Sequence, residues 1–233
     1  MCGRYSNNGE FSNIKVMFGA KDELFREWTP AFNIAPSHGP GYEQVIVVPS
    51  AEGRVARLAR WWLIPGWWNK PLKQLPTAFN ARAEDITKKP MFRDAFARGR
   101  CLVPATGWRE YTGPAGHKQP HHFHFGHQLF AFAGLWSKWT SPEGEAIESF
   151  TIITTEPGEK SAAVHDRTPL TLLPEHYDAW LSRDAEPLEI LEIAQKQHLG
   201  LPVEIYESDP LGNSTRFEGP EVIRPLRAQP GLF

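Results

Sequence analysis

The sequence predicts an α+β fold, a single compact and strand-rich domain carrying a few helices. Three observations lead there. The chain has 233 residues, 41% of them hydrophobic, enough for one substantial core without demanding a second domain. Its 9 Trp and 14 Phe supply large rings that favour sheet packing. Its 21 Pro and 19 Gly divide the chain into short elements. The apolar runs also lack the regular strand–helix alternation of a parallel sheet. With no linker-like stretch and no internal repeat, residues 1–233 read as one domain, irregular from about residue 206 to the end.

The elements follow in order. Residues 43–50 (EQVIVVPS) and 54–63 (RVARLARWWL) read as strands, the second with partial alternation. Residues 84–98 read as helical at least after Pro90, because proline opens a helix but does not sit inside one. Residues 100–112 (RCLVPATGWREYT) return to strand, and residues 121–139 hold two strands on either side of Gly126. Residues 148–155 and 168–173 are further strands; a short helix begins at Pro174 and runs through Leu181. Residues 186–198 (EPLEILEIAQKQH) form an amphipathic helix.

No apolar run approaches a membrane span, and the start of the chain lacks the basic-then-apolar pattern of a secretory signal. Two cysteines, Cys2 and Cys101, do not make a disulfide framework, so the reducing cytoplasm is expected. Net charge is −2, but residues 1–110 carry 16 Lys/Arg against 10 Asp/Glu while residues 111–233 carry 9 against 17. The basic first half can face a polyanion if it maps onto one surface.

The usual cofactor routes are missing from the sequence: no phosphate-binding glycine loop, dinucleotide fingerprint, G-x-S-x-G elbow or H-E-x-x-H. Neither a cofactor nor a metal is expected. Cys2 is the most informative residue. Removal of Met1 would place an α-amine and a thiol on one residue. Such an amine titrates at roughly 7.7–8.0 and can attack an aldehyde, after which the sulfur can close a five-membered ring. Read alone, Cys2 is better taken as an incidental residue beside the start. Cys101, in the apolar run RCLVP, reads as a buried structural thiol.

His165, in V-H-D-R-T-P, suits proton transfer near neutral pH or belongs to a polar turn. If extended, its neighbour Asp166 points the other way. Glu110, between aromatics in G-W-R-E-Y, is either a carboxylate with a raised pKa or an exposed strand residue paired with Arg109. His117, His121, His122, His124 and His127 read better as a polar hairpin face, with His122 and His124 on one side, than as a metal site, since standard zinc spacing is absent. In W-W-L-I-P-G-W-W, Trp61 and Trp62 read as core, whereas Trp67 and Trp68 follow a turn at Pro65-Gly66, where exposed rings can stack on unpaired bases.

Taken together, several segments resemble the SOS response-associated peptidase (SRAP) family. They are M-C-G-R-Y at 1–5, F-N-I-A-P at 32–36, W-W-L-I-P-G-W-W at 61–68, F-N-A-R-A-E at 79–84, R-C-L-V-P-A-T-G-W-R-E-Y at 100–111, A-G-L-W at 133–136, I-I-T-T at 152–155 and V-H-D-R-T-P at 164–169. The resemblance spans roughly residues 1–180. It implies a barrel-like arrangement of antiparallel sheets with a positively charged groove for single-stranded DNA. It also implies a mature chain that begins at Cys2 and captures abasic sites as a thiazolidine crosslink. Cys2, Asn80, Glu110 and His165 fall on active-site positions. Arg4, Arg82 and Arg167 fall on phosphate-contacting positions, Trp67 and Trp68 on the strand-end stacking edge, and Thr154 beside them. The implied partners are single-stranded DNA with abasic sites and a methionine aminopeptidase that removes Met1. The expected setting is a monomer in the cytoplasm, associated with the nucleoid when on DNA. Two other functions remain open: a thiol peptidase using Cys2 and His165, and a noncovalent reader of modified or single-stranded DNA.

Overall fold

The computed structural model describes residues 2–21, 28–37, 39 and 42–226. Fourteen strands and five α-helices follow one another among these residues. The first strands are β1 (Tyr5–Asn7), β2 (Ala20–Lys21), β3 (Ala31–Ile34), β4 (Glu43–Ser50), β5 (Gly53–Trp61) and β6 (Asn80–Arg82). Next come β7 (Arg100–Ala105), β8 (Gly107–Thr112), β9 (Gln119–His124), β10 (Phe130–Thr140) and β11 (Ala146–Thr155). The last are β12 (Thr168–Pro169), β13 (Thr171–Leu172) and β14 (Glu204–Glu207). The helices are α1 (Phe11–Phe18), α2 (Pro90–Arg98), α3 (Glu159–Ala162), α4 (Tyr177–Leu181) and α5 (Pro187–His198). No described helix is long and apolar enough to cross a membrane.

Two sheets organise the molecule. Strands β14-β9-β8-β1-β3 form one. In the other, β11-β10-β7-β4-β5 are consecutive neighbours, and β11 pairs with β5 through Ser149↔Arg60 and Phe150↔Trp61. That last pairing closes five strands into a barrel, as the resemblance implies. Closure leaves these strands without a free edge between them.

Strand alternation divides the core. On β4, Val45 and Val47 join α1, α2, α4 and α5 through Ile14, Phe18, Phe92, Phe96, Trp180 and Leu191. Ile46 and Val48 face the other way, into a cluster with Trp61, Phe132, Phe150 and, from the five-stranded sheet, Tyr5, Trp108 and Phe123. Because both faces are covered, EQVIVVPS shows a continuous apolar run in place of the alternation of a half-exposed strand.

The run 100–112, expected as one strand, is two. Thr106 interrupts it, and β7 continues in the barrel while β8 enters the five-stranded sheet. Gly107 permits the switch, since a side chain there would collide with the His122 ring and the Phe123 carbonyl. The C-terminal segment differs from expectation too. Through Leu226 it holds β14 and two 3-10 turns at Pro210–Asn213 and Pro220–Ile223. Its carbonyls at Ser214 and Phe217 accept from Asn33 Nδ2, each at 2.8 Å, so a Gly/Pro-rich sequence is ordered by tertiary bonds. Residues 227–233 lie outside the described residues.

Pro90 occupies the first turn of α2 and Gly99 follows its end. Gly99 abuts β10: its carbonyl accepts from Trp136 N–H at 2.7 Å, and a Cβ would overlap the Trp136 carbonyl oxygen. Because that oxygen is main chain, it cannot swing aside. Gly99→Ala is expected to cost about 1–3 kcal/mol by overpacking, a fall in Tm of about 2–10 °C for a chain of this size, measured by thermal denaturation.

Candidate active site

Cys2 lies just ahead of β1 and is fully buried. β1 pairs with β8 at Tyr5↔Trp108, and the Arg109 N–H donates to Arg4 O at 3.0 Å. The Cys2 Sγ sits 3.7 Å from that same carbonyl. The start of the chain is thereby tied to the strand that carries Glu110. Burial pushes the Cys2 thiol well up, and the Glu110 charge adds to this. The sulfur is a neutral thiol at neutral pH.

Glu110 is 2% exposed. It shares a face of β8 with Trp108, whose ring stacks on Phe123 with centroids 5.0 Å apart, so the carboxylate enters an aromatic core. Burial raises its pKa to about 8, with Asp166 contributing in the same direction and the amino terminus opposing it. Its Oε1 has no hydrogen-bond partner among the described residues, and its Oε2 lies 3.8 Å from His165 Nε2. Of the two readings of this residue, the buried one holds. The exposed Glu110–Arg109 pair does not form: Arg109 is itself 1% exposed, points to the opposite face, and donates from Nη2 to Asn33 Oδ1.

His165 follows α3 in a loop and is held by its N–H donating to Ser161 O at 3.0 Å. Its Nδ1 accepts from the Arg167 N–H at 3.0 Å, which leaves the proton of the neutral imidazole on Nε2, toward Glu110. Asp166 Oδ1 lies 2.9 Å from the same Nδ1, placed to take an N–H from that nitrogen when the ring is protonated. The expectation that Asp166 points away fails because the segment is a turn, not a strand. Burial lowers the His165 pKa from its ordinary value. The pair therefore has an inverted protonation pattern at neutral pH: a protonated carboxyl beside a neutral imidazole.

Asn80 begins β6, in parallel register with Ile152 on β11. Its Nδ2 donates to the Phe79 carbonyl at 3.1 Å, and its buried Oδ1 has no partner among the described residues. Thr154, 1% exposed, lies opposite Arg82 in the same pairing. Arg82 is exposed. Arg4 is half-buried, with Nη1 donating to the Gly3 carbonyl at 2.9 Å. Arg167 is different: its guanidinium lies against Glu84, Nη1–Oε1 at 2.9 Å and Nη2–Oε2 at 3.0 Å, and donates to Thr154 O at 2.6 Å. A phosphate would have to displace Glu84 to reach it. The sequence alone set Asp166 aside and did not single out Glu84. The adjacency in H-D-R and the final Glu of F-N-A-R-A-E were the available signals.

Trp67 and Trp68 lie at a turn, as expected, closed by the Trp68 N–H on the Pro65 carbonyl at 2.9 Å, with ring centroids 6.1 Å apart. Trp67 is 48% exposed and borders a cavity of about 480 Å³ shared with Met91, Arg98, Trp136 and Lys138. Trp68 packs against Ile64, Trp139 and Ile147. Trp61 and Cys101 are fully buried. The histidine segment is not a polar hairpin face throughout. His122 and His124 do share a side, but both are buried, and His124 stacks on His127 with centroids 3.8 Å apart. Burial drives His122 down to about 3, so it is neutral. Among the described residues no group of three or more His, Cys, Asp or Glu is arranged to hold a metal ion.

The family described as SOS response associated peptidase (SRAP) matches residues 1–207. The abasic site processing protein YoqW of Bacillus subtilis is 34% identical over 226 residues, covering 96% of this chain and 99% of that protein. The abasic site processing protein YedK of Escherichia coli is 25% identical over 233 residues, covering 97% and 100%. Among solved structures, a Bacteroides thetaiotaomicron protein superposes with a TM-score of 0.82 at 22% identity, covering 97% of this chain and all of that one. That last likeness speaks for the fold.

Proposed function

Since this chain belongs to the SOS response associated peptidase (SRAP) family, we propose that it captures abasic sites in single-stranded DNA as a covalent thiazolidine on Cys2, once Met1 has been removed. The relatives named as abasic site processing proteins support the lesion. The observation that carries the chemistry is the buried Glu110–His165 pair beside a neutral Cys2 thiol.

An abasic sugar is mostly a closed hemiacetal and reacts as its open aldehyde. Opening needs a base at the anomeric hydroxyl and an acid at the ring oxygen. The protonated Glu110 carboxyl supplies both, one oxygen giving a proton while the other takes one, with the His165 Nε2–H beside it to donate to the oxygen that is left charged. An α-amine titrates at roughly 7.7–8.0, and Glu110 at about 8, so a proton passes between the Cys2 ammonium and the carboxylate at little cost. An ordinary carboxylate would leave the amine charged and unreactive. The amine adds to the aldehyde carbon, Glu110 returns a proton to the departing hydroxyl, and water leaves as the imine forms. The Cys2 sulfur then adds to the imine carbon and its proton goes to the nitrogen, which closes the ring. The net change is loss of one water. Asn80 Oδ1, a buried acceptor, holds a sugar hydroxyl or the Cys2 amine. The alternative of a thiol peptidase asks for a thiolate nucleophile, whereas burial and Glu110 hold this thiol protonated.

Intact mass shows whether the purified chain begins at Cys2. Incubation with a single-stranded oligonucleotide carrying one abasic site, followed by a denaturing gel, then tests the reading. A covalent band from the processed chain supports it, and no band from a processed chain on intact abasic DNA removes it. Arg82, exposed at the end of β6, grips a phosphate in the proposed complex without reading sequence. Arg82→Ala is expected to weaken noncovalent binding about equally across sequences and to flatten the slope of log K against log salt by about 0.7, measured by fluorescence anisotropy.

A further inference from the structure

Arg167 does two things at once. Its side chain is clamped, bidentate to Glu84 and donating to the Thr154 carbonyl, and only 11% of it is exposed. Its main-chain N–H meets His165 Nδ1 at 3.0 Å. Glu84 sits in the short turn Ala83–Asp85 that follows β6, and Thr154 is on β11. The clamp thus ties the His165 loop to two strands that are already in register at Arg82↔Thr154. Burial works against the Glu84 charge, yet its pKa is lowered, because the Arg167 fork outweighs burial. Glu84 is therefore ionised and engaged throughout the neutral range.

We propose that Glu84 is a positioning residue: by holding the Arg167 side chain it fixes the Arg167 N–H on His165 Nδ1 and keeps Nε2 turned toward Glu110. This deepens the crosslinking reading and rests on it for its consequence in catalysis. With the clamp released, the imidazole loses the Arg167 N–H that fixes it and turns toward solvent, where Asp166 remains within reach. Among the groups that act on it are Glu110 from β8, Lys118 from the β8–β9 loop, Asp166, the Arg167 N–H and the amino terminus. Losing burial raises its pKa, and Asp166, already 2.9 Å from Nδ1, acts in the same direction.

The test is Glu84→Gln, with Arg167→Lys as a second variant that keeps the cation and loses the planar fork. The His165 ring is titrated by NMR in the folded proteins, with thermal unfolding as a check that they are folded. In both variants the His165 pKa should rise and its ring nitrogen shifts should change tautomer population, and the double variant should add little to either single one. Crosslinking at saturating abasic single-stranded DNA should slow by about 10–100-fold, with noncovalent DNA affinity kept or increased in Glu84→Gln. An unmoved His165 titration overturns the proposal. If DNA then binds tighter, Glu84 only competes with phosphate; if only Tm falls, it only stabilises the turn. Should wild-type protein form no crosslink, the proposed function fails, while the titration still decides the role of Glu84.

Discussion

Replacing Cys2 with serine should eliminate the covalent band on abasic single-stranded DNA while leaving noncovalent affinity within about twofold of wild type. The serine amine still forms an imine, but an oxygen closes the ring far less readily than sulfur, so any adduct is hydrolysable and is lost on a denaturing gel. Affinity is retained because, on the proposed function, the phosphates are gripped by exposed cations such as Arg82, whereas Cys2 is fully buried. A Cys2→Ser protein that still gives a stable band would show that another nucleophile is at work. One that loses DNA binding as well would point to a collapsed site, and thermal unfolding separates that case. A noncovalent reader would show no band from either protein and equal binding by both.

Glu110→Gln should have two large effects of opposite value to the protein. The first is on chemistry. Gln neither strips the Cys2 ammonium nor protonates the leaving hydroxyl, and general acid–base groups are worth about 10²–10⁴ in rate. Single-turnover crosslinking at pH 7 should slow by that factor. The second is on stability. The Glu110 pKa is about 8 in the fold against 4.5 unperturbed. Below about pH 4.5 both states hold the proton and the residue has no pH-dependent effect. As pH rises from there, the unfolded chain releases the proton and the fold does not, so stability falls until about pH 8. At pH 7 this cost reaches up to about 3 kcal/mol. Glu110→Gln removes it, so the variant should gain several degrees in Tm at pH 7–8 and nothing near pH 4. An equal change at both pH values would mean that Glu110 is ionised in the fold.

The sequence made the long elements readable and the short ones not. β4, β5, β10, β11, α2 and α5 carry runs or periodicities over eight residues or more. β1, β2, β3 and β6 have two to four residues each, too few for any period to register, yet β1 and β6 carry the start of the chain and Asn80 into place. The run 100–112 concealed its break because both parts are buried on both faces, so no change of pattern marks Thr106. Site identities were more legible than site geometry. Glu110 and His165 stood out as residue types in context and through family resemblance. Their 3.8 Å approach spans 55 positions and two different elements, and no local pattern encodes it. Glu84 was missed and Asp166 misplaced for the same reason, since their contacts exist only once a turn and a strand end meet. The ordered C-terminal segment was invisible because its partners, Asn33 and Arg109, lie more than a hundred residues upstream.

The pairing of β1 with β8 also sets a timetable. Tyr5 finds its partner at Trp108, so the chain start remains unpaired on that side until some hundred residues have been made, about 5–20 s at ordinary rates of synthesis. His165 arrives later still. During that interval Met1 and Cys2 are open to a processing enzyme. Afterwards β1 is paired and Cys2 is buried in the folded chain. On the proposed function, trimming therefore belongs most readily to the life of the nascent chain, before the fold has gathered Cys2 in.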